Sequence, residues 1–392
     1  MLWQHYVFRR GGEIYPTWET LFDRRKIRLL YIAGCGFDVR TQKVMQEFVG
    51  SFRESSAEVE FAQLLFVRFS GYRLDQALQD QTTSNEAALT NIFREIGAPI
   101  SVTFGASDSG DDVSASTAIR LGVVDVQKHL DGVTDIVLDI SSLPRVVYLS
   151  LLTGILSMLV PNKDAANPLY ANGVTLQVLV AEDAALDAKI QSEDPSNDLV
   201  YIPGFAGGLQ AESFQDWPLV WFPVLGEGKV SQLEQVMNQV IPPNAEICPV
   251  LPHPSRDPRR ADRLLAQYKE PLFDVRKTPT SNVLLVHEGH PFEAYRQLLG
   301  AMMRYRTSMS IMGGCRLVVT PLASKLITIG AGLSCFEMQP ADVSANYRVA
   351  IPYAEPTRYV ASADDLQRSK PEIAALILTG NAYNEAEDAT AA

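Results

Sequence analysis

The sequence has no close cysteine pair, no excess of basic charge and no apolar run long enough to span a bilayer, and each gap removes a class of function. Cys35, Cys248, Cys315 and Cys335 lie far apart without Cys-x-x-Cys spacing, which excludes a zinc ribbon, a dithiol redox motif and a disulfide scaffold. Buried free thiols in a reducing compartment are the expectation. Lys and Arg number 34 against 46 Asp and Glu, a net charge of −12, so the chain as a whole repels nucleic acid and anionic lipid. The longest apolar stretch, Val146 to Val160, carries Ser150, Thr153 and Ser157 and suits a buried helix better than a membrane span. At the N-terminus Arg9 and Arg10 follow the apolar residues, the reverse of a secretory signal. These features predict a cytoplasmic chain with no membrane contact and no direct hold on nucleic acid.

Complete catalytic signatures are also missing. There is no Gly-x-Ser-x-Gly elbow and no cysteine in a recognisable His-paired motif. Gly226-Glu-Gly-Lys229 lacks the first glycine of a P-loop, where Pro223 stands, and has Val230 in place of the metal-binding hydroxyl, so it reads as a turn.

What remains is an α/β grammar. The chain has 392 residues, 46% of them apolar, enough for two or three domains. Near-continuous Val/Ile/Leu runs at 28–33, 59–69, 99–104, 135–140 and 174–180 alternate with helical stretches, and the rhythm returns from residue 219 onward. Such runs imply strands buried on both faces. The expected fold is two Rossmann-like domains, each a mostly parallel sheet with helices on both faces. The boundaries read as an N-terminal extension at 1–26, a first domain at 27–200, a turn-rich linker at 201–217, a second domain at 218–378 and a disordered acidic tail at 379–392. Both halves contain a strand, a polar loop with a cation and an apolar helix, seen at Asp139-Ile-Ser-Ser-Leu-Pro-Arg145 and Thr320-Pro-Leu-Ala-Ser-Lys325.

Ligands of open parallel sheets collect beyond the carboxyl ends of the strands, where helix N-termini present unpaired N–H groups. Four such loops stand out. Gly34-Cys-Gly-Phe-Asp-Val-Arg40 supplies the first two glycines of Gly-x-Gly-x-x-Gly, but Val39 stands at the third. There Asp38 and Arg40 either hold each other or grip a polar ligand edge, or the stretch is a plain glycine turn whose Asp38 caps the following helix. In the loop Asp139 to Arg145, Ser141 and Ser142 supply hydroxyls, and Arg145 opposes the helix dipole, which calls for a carboxylate such as Asp139 or an anionic ligand. Ser324 and Lys325 precede a helix carrying Gly330 and Gly332, two glycines that suggest close packing against another helix. Arg256, Arg259, Arg260 and Arg263 form the densest basic spot, suited to phosphate oxygens, to pairing with Asp257 and Asp262, or to an acidic partner. His287 and His290 flank a strand end before Pro291, without the helical spacing of a zinc protease, and read as loop imidazoles near a ligand or in solvent, so no metal site is assigned. Asp108, Asp111 and Asp112 form an acidic loop that is either solvated or, with Asp139, a divalent-ion site.

Two of these loops resemble known families. The stretch from Gly34 to Arg40 resembles the Gly-x-Gly-x-Asp-x-Arg segment of leucine-carboxyl-type, S-adenosylmethionine-dependent methyltransferases, with Asp38 and Arg40 on matching positions. That resemblance implies a carboxylate at the end of the second strand, where this chain has Leu65-Phe-Val-Arg-Phe-Ser-Gly-Tyr72 and none. Ser324 and Lys325 resemble the helix entry of CARF-type domains, which sense cyclic oligonucleotides.

The leading expectation is a protein that binds a nucleotide or other phosphorylated small ligand, through Gly34, Gly36, Asp38, Arg40, Asp139, Ser141, Ser142, Arg145, Arg256, Arg259, Arg260, His287, His290, Ser324 and Lys325, as a sensor or interaction subunit with a protein partner or a second copy of itself. The cofactor and any catalytic residue stay unassigned. A nucleotide-dependent methyltransferase, a metal-assisted hydrolase and a protein-binding scaffold are the competing readings.

Overall fold

The computed structural model describes residues 1–69, 73–104, 115–187, 189–206, 209, 214–342 and 344–384. The strands in chain order are β1 (Val7–Arg10), β2 (Lys26–Gly34), β3 (Glu58–Phe69), β4 (Ala98–Phe104), β5 (Asp135–Asp139), β6 (Thr175–Glu182), β7 (Gln191–Tyr201), β8 (Leu219–Val224), β9 (Glu246–Ile247), β10 (Val250–Pro252), β11 (Leu284–Val286), β12 (Cys315–Pro321), β13 (Tyr347–Ala350), β14 (Pro352–Val360) and β15 (Glu372–Ile377). The chain divides into one unit of Met1–Gln191 with Arg358–Ala392 and a second of Ser192–Thr357.

The first unit is built on a seven-stranded sheet in the order β1-β15-β6-β5-β2-β3-β4. Neighbours from β6 to β4 are parallel, whereas β15 is antiparallel to both β6 and β1. With β2 counted as the first parallel strand, the spatial order is 3-2-1-4-5, a doubly wound sheet. Alternate residues explain why these strands are apolar throughout. Leu29, Tyr31, Ala33, Leu64, Phe66, Val137 and Leu179 pack in one layer with helices α1 (Ile14–Phe22), α2 (Arg40–Glu54) and α3 (Gln76–Phe93). Leu30, Ile32, Leu65, Val67, Ile136 and Leu138 are buried on the other side, where right-handed crossovers set α4 (Ala115–Gln127) and α5 (Arg145–Leu159). The two helix layers are therefore a direct reading of the pleat.

The second unit repeats the plan. Its sheet runs β11-β10-β8-β12-β13 with β9 beside β8, and every pairing is parallel. Since β9 and β10 occupy the same side of β8 in succession, the order is again 3-2-1-4-5. Each unit is thus a Rossmann-like parallel sheet, as the apolar runs predict.

The division of the chain differs from the sequence reading in three ways. Residues 1–26 are part of the first unit: β1 joins the sheet edge, and Ile14, Trp18 and Phe22 of α1 lie in its core. The stretch 201–217 does not separate the units; Ile202 and Phe205 are buried in the second one, where the Ile202 N–H donates to the Ile351 carbonyl and Ile351 to Phe205. The chain crosses between units near residues 191 and 357, on β7 and β14, which pair with each other. Finally, β15 completes the first sheet rather than the second, and residues 379–384 continue that unit. Thr379 is buried, accepts from the Leu176 N–H at 3.0 Å and donates to the Val174 carbonyl at 2.8 Å. The remainder of the expected tail lies outside the described residues. So do Asp108, Asp111 and Asp112.

Among the described residues no helix is long and apolar enough to cross a membrane. Of the two helix glycines singled out above, Gly330 has a clear packing reason. A Cβ there would lie 2.3 Å from the Pro291 carbonyl oxygen and 2.8 Å from Ala294 Cβ, so helix Lys325–Met338 meets helix Pro291–Met309 within the same unit.

Gly330→Ala tests that contact, because helix propensity alone would favour alanine by about 1 kcal/mol. Overpacking against backbone outweighs this, and urea unfolding should show a net loss of about 1–3 kcal/mol. Unchanged or increased stability would show that the two helices separate at little cost.

Candidate functional site

Each sheet reverses its strand order once, and the crevice beyond the carboxyl ends at that switch point is where open α/β sheets place ligands. In the first unit the reversal lies between β2 and β5, paired through Ala33 and Asp139. In the second it lies between β8 and β12, paired through Val224 and Pro321.

At the first switch point β2 runs into Gly34–Arg40 and β5 into Asp139–Arg145, so eight of the expected residues converge: Gly34, Gly36, Asp38, Arg40, Asp139, Ser141, Ser142 and Arg145. The two loops press on each other. A Cβ on Gly34 would lie 2.8 Å from Leu143 Cδ2 and 2.9 Å from Ser142 Oγ, and one on Gly36 would lie 3.0 Å from the Ser142 carbonyl oxygen. The Ser142 hydroxyl donates to the Gly34 carbonyl at 2.9 Å. These glycines are therefore required by loop-on-loop packing, and Val39 at the third position begins α2 as its N-cap.

Asp38 and Arg40 hold each other. Arg40 Nε donates to both Asp38 carboxylate oxygens at 2.9 and 3.1 Å, Nη2 donates to Oδ2 at 2.6 Å, and Nη1 reaches Asp187 Oδ1 at 2.7 Å. Both partners of the inner pair are buried. Burial works against the guanidinium charge, but Asp38 and Asp187 outweigh it and hold the group above its ordinary range. Asp139, fully buried, accepts from the Tyr31 hydroxyl at 3.0 Å and from the Ser141 N–H at 2.9 Å. Burial and the Asp139 charge push the Tyr31 hydroxyl well above its usual range, so it stays a donor. Ser141 Oγ accepts from the Ala181 N–H at 2.9 Å. Three side chains expected at a ligand, Asp38, Arg40 and Asp139, thus hold the loops themselves in place.

Backbone donors are what the loops leave open. The N–H groups of Gly36, Phe37 and Ser142 meet no acceptor among the described residues, and these residues are only half-buried. Helix α2 takes its cap from Asp38, whose Oδ1 accepts from the Arg40 N–H at 3.1 Å, and the Gln42 N–H donates to the Val39 carbonyl at 3.0 Å, whereas α5 follows Pro144, which offers no side-chain cap. No acidic residue stands in either first turn, and Arg145 stands in that of α5. The surface at this point is a cluster of fixed N–H dipoles beside a cation.

Sequence reasoning passes over three supports of this geometry. Asn85, buried in the middle of α3, donates from Nδ2 to the carbonyls of Gly36 at 2.8 Å and Asp38 at 3.3 Å, and accepts from Gln42 at 2.8 Å. A buried Asn inside an amphipathic helix is the one signal that marks it. Tyr31 and Asp187 carry no local signal, since their roles depend on partners 108 and 147 residues away.

At the second switch point Ser324 and Lys325 begin helix Lys325–Met338, and Gly226 faces them. A Cβ on Gly226 would lie 2.2 Å from the Leu322 carbonyl oxygen, the same loop-on-loop contact as in the first unit. Gly226-Glu-Gly-Lys229 is thus the counterpart of the glycine turn after β2, where the sequence shows only a turn. Its chemistry differs. Arg260 forks onto Glu227 at 2.6 and 2.7 Å and also pairs with Glu288, while Arg263 pairs with Asp257. Glu288 also accepts from the Arg256 N–H at 2.6 Å, and Asp257 from the Arg259 N–H at 3.0 Å. Of the basic cluster, the guanidiniums of Arg260 and Arg263 are engaged by carboxylates, so for Arg260 a carboxylate network stands where a fork onto phosphate was expected, while Arg256 and Arg259 join it through their backbone N–H groups.

His287 and His290 follow β11 with ring centroids 6.2 Å apart, away from the switch point. His290 caps helix Pro291–Met309, its Nδ1 accepting from the Glu293 N–H at 3.2 Å, and His287 Nδ1 accepts from Gly289 N–H at 3.1 Å. Burial and the neighbouring His287 charge lower the His290 pKa. Among the described residues no group of three His, Cys, Asp or Glu side chains is placed to hold a metal ion. All four cysteines are free; burial pushes Cys35 up to about 12 and Cys248 and Cys315 to about 11, leaving no activated thiolate.

No family model matches the chain, and no curated protein does. Among solved structures it is similar to a Listeria monocytogenes protein assigned as a UDP-N-acetylglucosamine 2-epimerase, at 10% identity over 88% of this chain and 94% of that one, with a TM-score of 0.21. It is also similar to the UDP-GlcNAc 2-epimerase of Neisseria meningitidis bound to UDP-GlcNAc, at 11% identity over 82% and 94%, again with a TM-score of 0.21. Likenesses of this size carry no argument about ligand or reaction, and the fold rests on the strand orders given above.

Two measurements probe these networks. Arg40→Met leaves Asp38 buried without its counter-charge, and urea unfolding should report a loss of about 3–5 kcal/mol; a loss under 1 kcal/mol would mean the pair is not buried as described. In the second unit, burial raises the Glu227 carboxyl, but hydrogen bonds and charge from Arg260 outweigh this and hold it below the ordinary 4.5. A lowered folded-state pKa contributes stability above the unfolded value, lost as pH falls through the folded one. Stability of the native chain should therefore fall more steeply below pH 4.5 than that of Glu227→Gln, and identical acid limbs would rule this coupling out.

Proposed function

We propose that this chain binds the phosphate groups of a nucleotide, or of a related phosphorylated small molecule, at the switch point of its first unit. The observation that carries this reading is the set of backbone N–H groups at Gly36, Phe37 and Ser142 that meet no acceptor among the described residues, set beside the N-terminus of α5 and Arg145. Such an array favours an anion with several acceptor oxygens, because each N–H dipole is already oriented and loses no conformational entropy on binding. In this reading Gly36, Phe37 and Ser142 donate to phosphate oxygens, Arg145 neutralises charge, and Asp38, Arg40, Asp139 and Ser141 hold the loops rigid. Ser324 and Lys325 form a weaker counterpart in the second unit, flanked by Glu227.

The role we propose is that of a sensor or interaction subunit. Asp38 and Asp139 are committed to structural partners, Tyr31 is held as a donor, and the Cys35 thiol is raised, so the described part of this site has no poised base or nucleophile. Binding followed by recruitment of a protein partner or a second copy fits that chemistry better than turnover.

Arg145→Ala tests the assignment. Losing one charge-assisted contact to phosphate should weaken binding of nucleoside triphosphates about 10- to 100-fold by calorimetric titration. Urea unfolding of the variant is measured alongside, so that lost binding is told apart from lost folding. A native chain that binds none of ATP, GTP, CTP and UTP, or a variant that binds as the native chain does, would reject this site.

A further inference from the structure

The first switch point has a wall that the phosphate reading leaves unused, at the carboxyl end of β3. That strand ends in Arg68 and Phe69 and has no carboxylate of its own there. One nonetheless stands at its end. Glu86, from α3, forms an ion pair with Arg68, and the Cys35 thiol of the glycine turn lies within its hydrogen-bonding reach. The turn is tied to the same strand end, since the Cys35 N–H donates to the Val67 carbonyl at 2.9 Å. Helix α3 cannot drift from this position because Asn85, the residue before Glu86, is bonded to the carbonyls of Gly36 and Asp38.

Glu86 and Arg68 remain partly open, with 27% and 44% of their side chains exposed. A carboxylate offers about four lone-pair positions, so one guanidinium and one thiol still leave acceptor capacity. In doubly wound sheets whose glycine turn holds phosphate, a carboxylate beside the second strand accepts from the ribose hydroxyls, one ribose length from the phosphate. Here the strand lacks that acid, and α3 supplies it from 18 residues further along the chain.

We propose that Glu86, oriented by Arg68, accepts hydrogen bonds from the vicinal hydroxyls of a ribose, so that the first unit selects ribonucleotides over their 2′-deoxy forms. This rests on the phosphate reading of the neighbouring turn. The thiol of Cys35 is a third wall of the subsite and takes no chemical part.

Calorimetric titration of the full chain with ATP, GTP, CTP and UTP, each against its 2′-deoxy form, tests the assignment in the native protein, in Glu86→Gln and in Glu86→Asp. The native chain should prefer the ribonucleotide at least about tenfold, the size of one lost hydrogen bond to a charged group. Glu86→Gln keeps an oxygen toward Arg68 and should bind both forms about equally, while Glu86→Asp should recover part of the preference. Equal binding of both forms by the native chain, or a preference unchanged in Glu86→Gln, would overturn the ribose role and leave the phosphate site standing. Failure of the native chain to bind any of the eight would withdraw both.

Discussion

Everything at the first switch point depends on two loops being pressed together with no room for a side chain between them. At the contact between the segments leaving β2 and β5, a Cβ on Gly34 or Gly36 would lie 3.0 Å or less from Ser142 or Leu143, so a larger residue there forces one of the loops to shift. Gly34 and Gly36 remove that obstacle, and Ser142 fastens the contact by donating to the Gly34 carbonyl. Beside that contact the N–H groups of Gly36 and Phe37 meet no acceptor among the described residues. The same steric demand recurs where Gly226 meets Leu322, so the two units share a solution to packing while differing in what surrounds it.

Charge separates them. In the first unit Asp38 and Asp139, the carboxylates of the two loops, are turned inward, Asp38 onto Arg40 and Asp139 onto Tyr31. The second unit presents Glu227 and Glu288 around a single Arg260. A buried ion pair such as Asp38–Arg40 adds little net stability compared with apolar residues of the same size. What it supplies is orientation, since its several hydrogen bonds, together with those of Asn85, leave the glycine turn one conformation.

The fold class was legible because strands buried on both faces must be apolar at every position, a pattern that short-range reading detects. The convergence of Gly34–Arg40 with Asp139–Arg145 followed from the loops of a parallel sheet, though the strand order that makes them neighbours was not visible in the residues. Mutual pairing of Asp38 and Arg40, two positions apart, was one of the readings open from the start. Partners separated by long loops were not accessible: nothing local distinguishes Glu86 from other helix carboxylates, or shows that Arg260 will find Glu227 and Glu288 rather than phosphate. The domain boundary was misplaced for a related reason. Glu372–Ile377 is a short apolar run like many others, and only its antiparallel pairing to β6 and β1 assigns it to the first sheet.

That late return of the chain bears on how the protein is made. The first unit is interrupted between β6 and β15 by the whole of the second, so its sheet lacks a strand until about 190 further residues have left the ribosome. At ordinary elongation speeds this interval is roughly 10–40 s. Throughout it β6 has an unpaired edge and β1 has no neighbour, while the intervening second unit holds every strand of its own sheet and is free to fold. A nascent chain in this condition exposes an apolar strand edge of the kind that invites mispairing. The unit that carries the proposed ligand site is thus begun before the second unit and finished after it, and newly made chains acquire that site's complete scaffold only once β15 has emerged.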